Sequence, residues 1–402
     1  MNFEFSKKSL NLQKKLSRFM EKNIFPNEKE ILDFRIKNPW KHSTKFNSLK
    51  KLAKKEGLWN LFLHKGYGKL SPGLTNLEYA PLAELMGKCS YSSEIFNCSA
   101  PDTGNMEVLA KYGSKKQQSE WLDPLMIGDI RSAFLMTEPK VASSDATNIE
   151  TSIKRNGDNY IINGTKWWSS GGMNPKTKLY IVMGKTDPNA KRHLQQSMII
   201  VPAKTPGVKI VRPLSVFGYL DSPEGHAEIQ LNNVKVPIEN IILGEGKGFE
   251  IAQGRLGPGR VHHCMRLIGA AQRSLELMCK RVSEREAFGK KLKDFSSIRQ
   301  DIAKSACEIN QARLLTLSTA DKIDRFGAKA ATKLISMIKI TIPKMACQVI
   351  DRAIQAHGGL GVSQDTPLAS FYVYARAIRL ADGPDEVHMY QLGRNLINDY
   401  NN

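Results

Sequence analysis

Hydrophobic spacing changes twice along this 402-residue chain, and those two changes constrain its fold more than any other feature. Up to about residue 130 the apolar residues recur at helical intervals, with Gly57, Gly66, Gly73 and Pro101 as breaks. Leu12, Leu16, Phe19, Met20, Ile24 and Ile31 predict an amphipathic first helix over Ser9–Asp33. Between 131 and 243 short β-type runs replace that spacing. Ile149–Arg155 and Tyr160–Trp168 flank Asn156-Gly157-Asp158-Asn159, a hairpin signal. Leu179–Lys185, Ser197–Pro202, Val208–Leu214 and Ala227–Val236 are further candidate strands, and their spacing suggests a small antiparallel barrel or sandwich.

After Gly244 helical spacing returns. Leu267, Ala271, Leu275, Met278 and Val282 form one stripe, Ile298, Ile302, Ala306 and Ile309 a second, and Ile335, Ile338, Ile342, Met345 and Val349 a third. Short connections between such stripes describe an antiparallel helix bundle, and Pro343 should kink or break the third helix. The expected fold is multi-domain α+β: an N-terminal helical domain (1–130), a middle antiparallel β domain (131–243) and a C-terminal helix bundle (244–402).

Composition narrows the function classes. With 41% hydrophobic residues the chain is globular, and no apolar run approaches the ~18 residues of a membrane span, which argues against membrane insertion. Six cysteines without C-x-x-C pairing read as reduced thiols in a cytoplasmic setting. The segment before Asp33 holds a single Arg and four Glu, unlike a mitochondrial presequence, and Asp399-Tyr400-Asn401-Asn402 carries no peroxisomal tripeptide. The net charge of +20 is spread over small lysine groups without interleaved aromatics, which argues against nucleic acid and for a solvated surface that can favour an anionic ligand.

Several motifs carry chemistry. Ala381-Asp382-Gly383-Pro384-Asp385-Glu386-Val387-His388 places a carboxylate directly before a Gly-Pro bend and a helical run. Such a bend can hold a base against a substrate carbon, although Asp-Gly and Gly-Pro are also ordinary turn chemistry. Phe134-Leu135-Met136-Thr137-Glu138-Pro139 with Ser143-Ser144 can offer N–H groups and hydroxyls to a flat heterocycle, or simply end a strand. Trp167-Trp168-Ser169-Ser170-Gly171-Gly172 can wall a planar ring or pack in a core. Arg285 can grip a pyrophosphate, and Gln355-Ala356-His357-Gly358-Gly359 either allows close backbone approach or caps a helix. Gly244-Glu245-Gly246-Lys247-Gly248 lacks dinucleotide-fold spacing. His262-His263-Cys264 has no matching second cluster, so no metal is expected.

In this order the motifs resemble the acyl-CoA dehydrogenase family over essentially the whole chain, and more narrowly its member 10 and member 11 subgroup. Glu138–Ile149, Arg212–Gly218, Ile242–Arg260 and Leu380–His388 carry the narrower match. The resemblance implies FAD between three domains, the last a four-helix bundle. By it Phe134, Met136, Thr137, Ser143, Ser144, Trp168, Ser169 and Ser170 should line the isoalloxazine, with Ser170 near its N5 edge. Arg285, Gln355, Gly358 and Gly359 should reach the FAD of a neighbouring subunit in a homodimer or homotetramer. Pro384, Asp385 and Glu386 should also touch FAD, while Ser144, Arg260 and Gly383 match positions near the acyl-CoA.

Three departures stand out. The family's Gly-Ala-Gly-Ser after Thr-Glu-Pro is here Lys140-Val141-Ala142-Ser143-Ser144, one residue longer; Ser170 replaces a common Thr; and Asp382 stands where Glu is usual. In animal relatives of the subgroup a kinase-like domain precedes the dehydrogenase, and none is expected within these 402 residues.

The activity implied is α,β-dehydrogenation of an acyl-CoA thioester to trans-2-enoyl-CoA, with Asp382 taking the α-proton and the β-hydride passing to flavin. Burial should raise the Asp382 pKa from about 3.9. Electron-transfer flavoprotein is the acceptor the family implies. The alternatives are an acyl-CoA oxidase, a dehydrogenase of 4-hydroxy or 4-phospho acyl-CoA working with a separate kinase, and a flavin-free binding protein that keeps the fold.

Overall fold

A computed structural model describes residues 4–401. Helices fill both ends of the chain, and seven strands, β1 (Arg131–Leu135), β2 (Ser152–Asn156), β3 (Asn159–Ser170), β4 (Thr177–Lys185), β5 (Gln196–Pro202), β6 (Val208–Leu214) and β7 (His226–Pro237), form one sheet between them. The predicted hairpin is there: Asn156 pairs with Asn159 and Ile153 with Ile162, with Gly157 at φ +59° in the turn. The other antiparallel pairs are β3–β7, β4–β5 and β6–β7. An all-antiparallel unit is not what forms, because β1 runs parallel to β4, and β2 touches β4 in the same sense through one pair. A parallel pair needs a crossover, and the 136–176 segment between β1 and β4 supplies it.

Strand β4 explains why this sheet sits where it does. Leu179, Ile181 and Met183 join the core that continues into the helices, while Tyr180 and Val182 join a second core on the opposite face. Successive side chains point to opposite faces, so a strand covered on both sides reads as a continuous apolar run.

The first predicted helix is two. Lys7–Phe19 and Glu28–Lys37 are separated by a π turn at Met20–Ile24 and a 3-10 turn at Phe25–Asn27. Pro26 lies in that junction, and a proline is tolerated at the opening turn of the second helix. The apolar period continues across it: Leu16, Phe19, Met20, Ile24 and Ile31 are all buried.

The bundle is built on Gly248–Glu284, Ser296–Ala330 and Thr332–His357, followed by Leu368–Ile378 and Asp385–Tyr400. Of the kink or break expected at Pro343, the break does not form, since Thr332–His357 runs through it as one helix. Pro343 is buried in that helix's packing face, and those contacts compensate for the one hydrogen bond a proline cannot donate. The helix Asn76–Gly87 crosses Gly248–Glu284 at two glycines. A Cβ on Gly87 would lie 2.1 Å from the Arg266 carbonyl oxygen, and one on Gly269 1.9 Å from that of Glu84. That close crossing fixes the turn of the long helix that carries Arg260, His263 and Arg266.

A buried ionic group joins the N-terminal helices to the loop before β7. Glu94 accepts from Arg35 at 3.2 Å and from Lys50 at 3.3 Å, and Arg131 lies 2.8 Å from Asp102 and 3.9 Å from Glu224. Burial alone would raise Glu94, yet the charges of Lys50, Arg131 and Arg35 and a hydrogen bond from Glu224 hold it well below the carboxylate range. Glu224 is pushed up by burial and by the Glu94 charge, so the pair shares one negative charge and Glu224 keeps the proton.

Candidate active site

The predicted base sits on a strained bend. Asp382 has φ +57° and Gly383 φ +101°, a conformation that side chains other than glycine rarely adopt. Donors from three helices hold the bend in place. The Asp382 carbonyl accepts from Arg260 Nε at 3.0 Å and faces His388 Nε2 at 3.2 Å. Lys339 Nζ donates to the carbonyls of Ile378 at 2.5 Å and Ala381 at 2.8 Å. These carbonyls are the loose end of the Leu368–Ile378 helix, which needs such partners.

Burial together with the Arg260 and Lys339 charges pushes His388 down to about 4, so the ring is neutral and its Nε2–H donates. Burial likewise lowers Lys339. Gly383 has no room for a side chain, since a Cβ there would lie 2.9 Å from His388 Nε2.

The Asp382 carboxylate faces the long helix. His263 Nε2 lies 3.5 Å from its Oδ2. His263 Nδ1 in turn lies 2.9 Å from the Tyr374 hydroxyl and 3.1 Å from Arg266 Nη2. Arg266 is buried, its other donor reaches the Cys98 carbonyl at 3.5 Å, and among the described residues it has no carboxylate within ion-pair distance. Asp385 stands in the first turn of the next helix and is gripped by Arg379 at 2.7 Å. Glu386 beside it is exposed and Pro384 half-buried.

A second set of predicted residues gathers on the sheet. Phe134, Met136 and Thr137 leave β1 half-buried. Lys166 and Trp167 on β3 hold that segment, with Lys166 Nζ donating to the Met136 carbonyl and to Glu138 Oε1, each at 2.8 Å, and the Trp167 N–H donating to the Thr137 carbonyl at 3.0 Å. The pairing of β3 with β7 slips between Lys166 and Ser169, and Trp168 in the slip has φ +50° and is 40% exposed. Bulges of this kind re-aim side chains beside sites.

Ser170 Oγ lies 2.9 Å from His226 Nδ1, His226 Nε2 lies 3.7 Å from Asp221, and the Trp168 and His226 rings are 5.7 Å apart. Ser143 is buried, its hydroxyl accepting from the Glu138 N–H at 2.9 Å, while Ser144 is exposed.

Four buried polar atoms of the described residues in these two sets have no hydrogen-bond partner in the protein: Trp167 Nε1, Ser169 Oγ, Asp385 Oδ1 and His388 Nδ1. Leaving such groups unpaired costs about 1–3 kcal/mol each. Trp167 Nε1 and Ser169 Oγ, on either side of the exposed Trp168, fit a planar cofactor that offers hydrogen-bonding groups at its edge.

Arg285, Gln355, Gly358 and Gly359 do not join Asp382. Arg285 ends the Gly248–Glu284 helix, 22 residues beyond His263, which is about 33 Å at 1.5 Å per residue. Gln355 lies 16 residues beyond Lys339 on its own helix, about 24 Å. The two helix ends meet through Met278, Val282, Ala353 and Ala356, and all four predicted residues are exposed there.

Sequence reasoning missed His263, Lys339, His388 and His226. The signal for the first was present, because Arg260 and His263 stand three apart and share a helix face. His262 and Cys264, weighed earlier as metal ligands with His263, turn elsewhere: His262 packs edge-on against Tyr79, and the Cys264 thiol points to the Ile338 carbonyl.

The fold and this site define a three-part flavoprotein dehydrogenase architecture. A protein of Mycobacterium abscessus assigned to the acyl-CoA dehydrogenases superimposes with a TM-score of 0.96 at 48% identity, over 99% of this chain and 100% of that one. Sequence models of the acyl-CoA dehydrogenase N-terminal, middle and C-terminal domains match residues 6–129, 133–234 and 246–397.

The chain belongs to the acyl-CoA dehydrogenase family, whose members depend on FAD. It is 52% identical to acyl-CoA dehydrogenase family member 11 of Rattus norvegicus over 99% of its own length and 51% of the relative's. It is also 52% identical to Mycobacterium tuberculosis FadE2, named a probable acyl-CoA dehydrogenase, over 98% of this chain and 96% of that one. It thus spans about half the length of the animal relative. Among the described residues no helix is long and apolar enough to cross a membrane.

Proposed function

We propose that this chain removes the α-proton and β-hydride of an acyl-CoA thioester to give the trans-2-enoyl-CoA, with Asp382 as the base. The observation that carries this is the Asp382 bend, where donors from three helices hold the backbone still while the carboxylate stays partly open. A base so held meets the substrate carbon without reorganising, which is where an enzyme gains most from positioning. Gly383 follows without a side chain, leaving the backbone open to a thioester, and Arg260 fixes the carbonyl of the base.

On the sheet side Phe134, Met136, Thr137, Trp168, Ser169 and Ser170 would hold the isoalloxazine, with Ser143 shaping the loop and Ser144 beside the acyl-CoA. Asp385, Glu386 and Pro384 would meet the cofactor's chain. Bound FAD supplies the two-electron acceptor for the β-hydride. Arg285, Gln355, Gly358 and Gly359, exposed together far from Asp382, suit contacts to the FAD of a second copy in a dimer or tetramer. Electron-transfer flavoprotein is the acceptor that goes with this chemistry. The six cysteines, none in a disulfide, suit a reducing, cytosol-like compartment.

Asp382→Asn tests the assignment. Flavin should stay bound while turnover falls about 10²- to 10⁴-fold, the usual contribution of a positioned base. Near-normal turnover would refute Asp382 as the base and turn attention to Glu386.

A second reading concerns the substrate. Among the described residues Arg266 is a buried cation with no carboxylate within ion-pair distance, one residue contact from the base. Such a charge favours an acyl group with an oxygen-bearing or anionic substituent, as in 4-hydroxy or 4-phospho acyl-CoA. Bleaching of the flavin by a panel of acyl-CoAs under anaerobic conditions separates this from plain fatty acyl groups. Fast reoxidation of the reduced enzyme by air would instead mark an oxidase.

A further inference from the structure

We propose that His263 is the positioning residue for Asp382, a neutral imidazole locked in one tautomer that presents its Nε2–H to the carboxylate. The inference rests on the reading of Asp382 as the base. It begins at the far side of the ring. Arg266 Nη2 lies 3.1 Å from His263 Nδ1, and a guanidinium can only donate. Nδ1 is therefore the accepting nitrogen, and the ring proton is on Nε2, 3.5 Å from Asp382 Oδ2. A separation at the long end of hydrogen bonding is common in enzymes without substrate and closes when the substrate arrives.

The Tyr374 hydroxyl, 2.9 Å from Nδ1, fixes the ring plane from the Leu368–Ile378 helix. His263 is consequently held from two helices and cannot itself serve as the base, because its accepting nitrogen is turned away from the substrate and already occupied.

The consequence for Asp382 is electrostatic. Burial beside an acyl chain favours the protonated acid, which cannot take a proton, whereas a hydrogen bond to the ionised form favours the carboxylate. Among the described residues, the Arg260 and Lys339 charges also favour the Asp382 carboxylate through space, while the hydrogen bonds of the groups around the bend go elsewhere. Arg260 and His388 address the Asp382 carbonyl, Lys339 addresses the carbonyls of Ile378 and Ala381, Asp385 is held by Arg379, and the Cys264 thiol is raised by burial to about 12 and stays neutral. His263 supplies the N–H that faces the carboxylate oxygen itself.

Two substitutions separate this from a packing role. His263→Gln can place its amide nitrogen near the position of Nε2 and still reach Asp382. His263→Asn replaces only the Nδ1 side and falls short. Both are measured in the flavin-loaded enzyme for kcat, KM and the pH dependence of kcat/KM. Infrared difference spectra against Asp382→Asn report the carboxylate band with or without flavin.

His263→Asn should lower kcat about ten- to hundredfold with KM within about threefold. Its acid limb and the pH at which the carboxylate band appears should both move upward. His263→Gln should recover most of kcat and return both toward the wild-type position. Equal behaviour of the two variants, or a carboxylate band unmoved in His263→Asn, overturns the proposal. If Asp382→Asn keeps near-normal turnover, the base assignment falls and this inference with it. If that variant is dead while His263→Asn is normal, only the role of His263 falls.

Discussion

Replacing Gly383 by alanine tests the geometry of the bend most directly. Two penalties can be worked from the structure. At φ +101° an alanine takes on backbone strain of about 1–2 kcal/mol. Its Cβ would also lie 2.9 Å from His388 Nε2, and His388 is 1% exposed and tied to the Asp382 carbonyl, so the ring has little freedom to retreat. Overpacking of this kind adds about 1–3 kcal/mol.

The sum, about 2–5 kcal/mol, should appear as a lower thermal midpoint. The functional effect should be larger than the stability loss implies, because a displacement near 1 Å at a reacting group costs about a hundredfold in rate. Single-turnover flavin bleaching at saturating acyl-CoA isolates that step. His388→Ala removes the clash at its own cost in packing and in the bond to the Asp382 carbonyl, so Gly383→Ala should lower the midpoint less in a His388→Ala background than in the wild type. A Gly383→Ala enzyme with wild-type midpoint and bleaching rate would refute the argument that the bend is sterically closed.

The buried ionic group makes a paired prediction. Glu94→Gln leaves the Arg35 and Lys50 charges without their carboxylate and should destabilise by about 3–5 kcal/mol in thermal or denaturant unfolding. Glu224→Gln replaces a group already neutral and should change little; similar losses from the two would disprove the unequal sharing of charge. Glu138 offers a pH test. Burial raises it, but the Lys166 charge and the hydrogen bonds from Lys166, Thr151 and Glu150 outweigh that and lower it. A carboxylate lowered by folding contributes stability above its unfolded value of 4.5, and loses it as pH falls through the lower folded value. Acid unfolding curves of Glu138→Gln should therefore lack part of the wild-type slope below about pH 4.5. An unchanged slope would count against the assignment.

Much of this architecture was legible because it rests on local pattern. The Asn156–Asn159 turn and the helices of the three stripes follow from short-range spacing and form, although Ala306 of the second stripe is exposed and Pro343 does not interrupt the third. The β1–β4 pairing was not legible, since parallel strands meet through a long crossover that leaves no local mark. The π and 3-10 turns at 20–27 were hidden by an apolar period that continues across them. The site divides the same way. Asp382 and Gly383 announce themselves by the bend they occupy. Lys339 and His388, which hold that bend, come from separate helices, and a sequence does not display the contact between them.

The helix Gly248–Glu284 carries Arg260 and His263 near one end and meets Arg285 at the other, as a single unbroken rod. Its length in residues is thus a mechanical setting. Inserting one residue between His263 and Arg285 would swing the guanidinium about 100° around the axis while advancing it only 1.5 Å. The two ends of the molecule are phased to each other like teeth on one shaft, and loops elsewhere in the chain can lengthen without disturbing that phase.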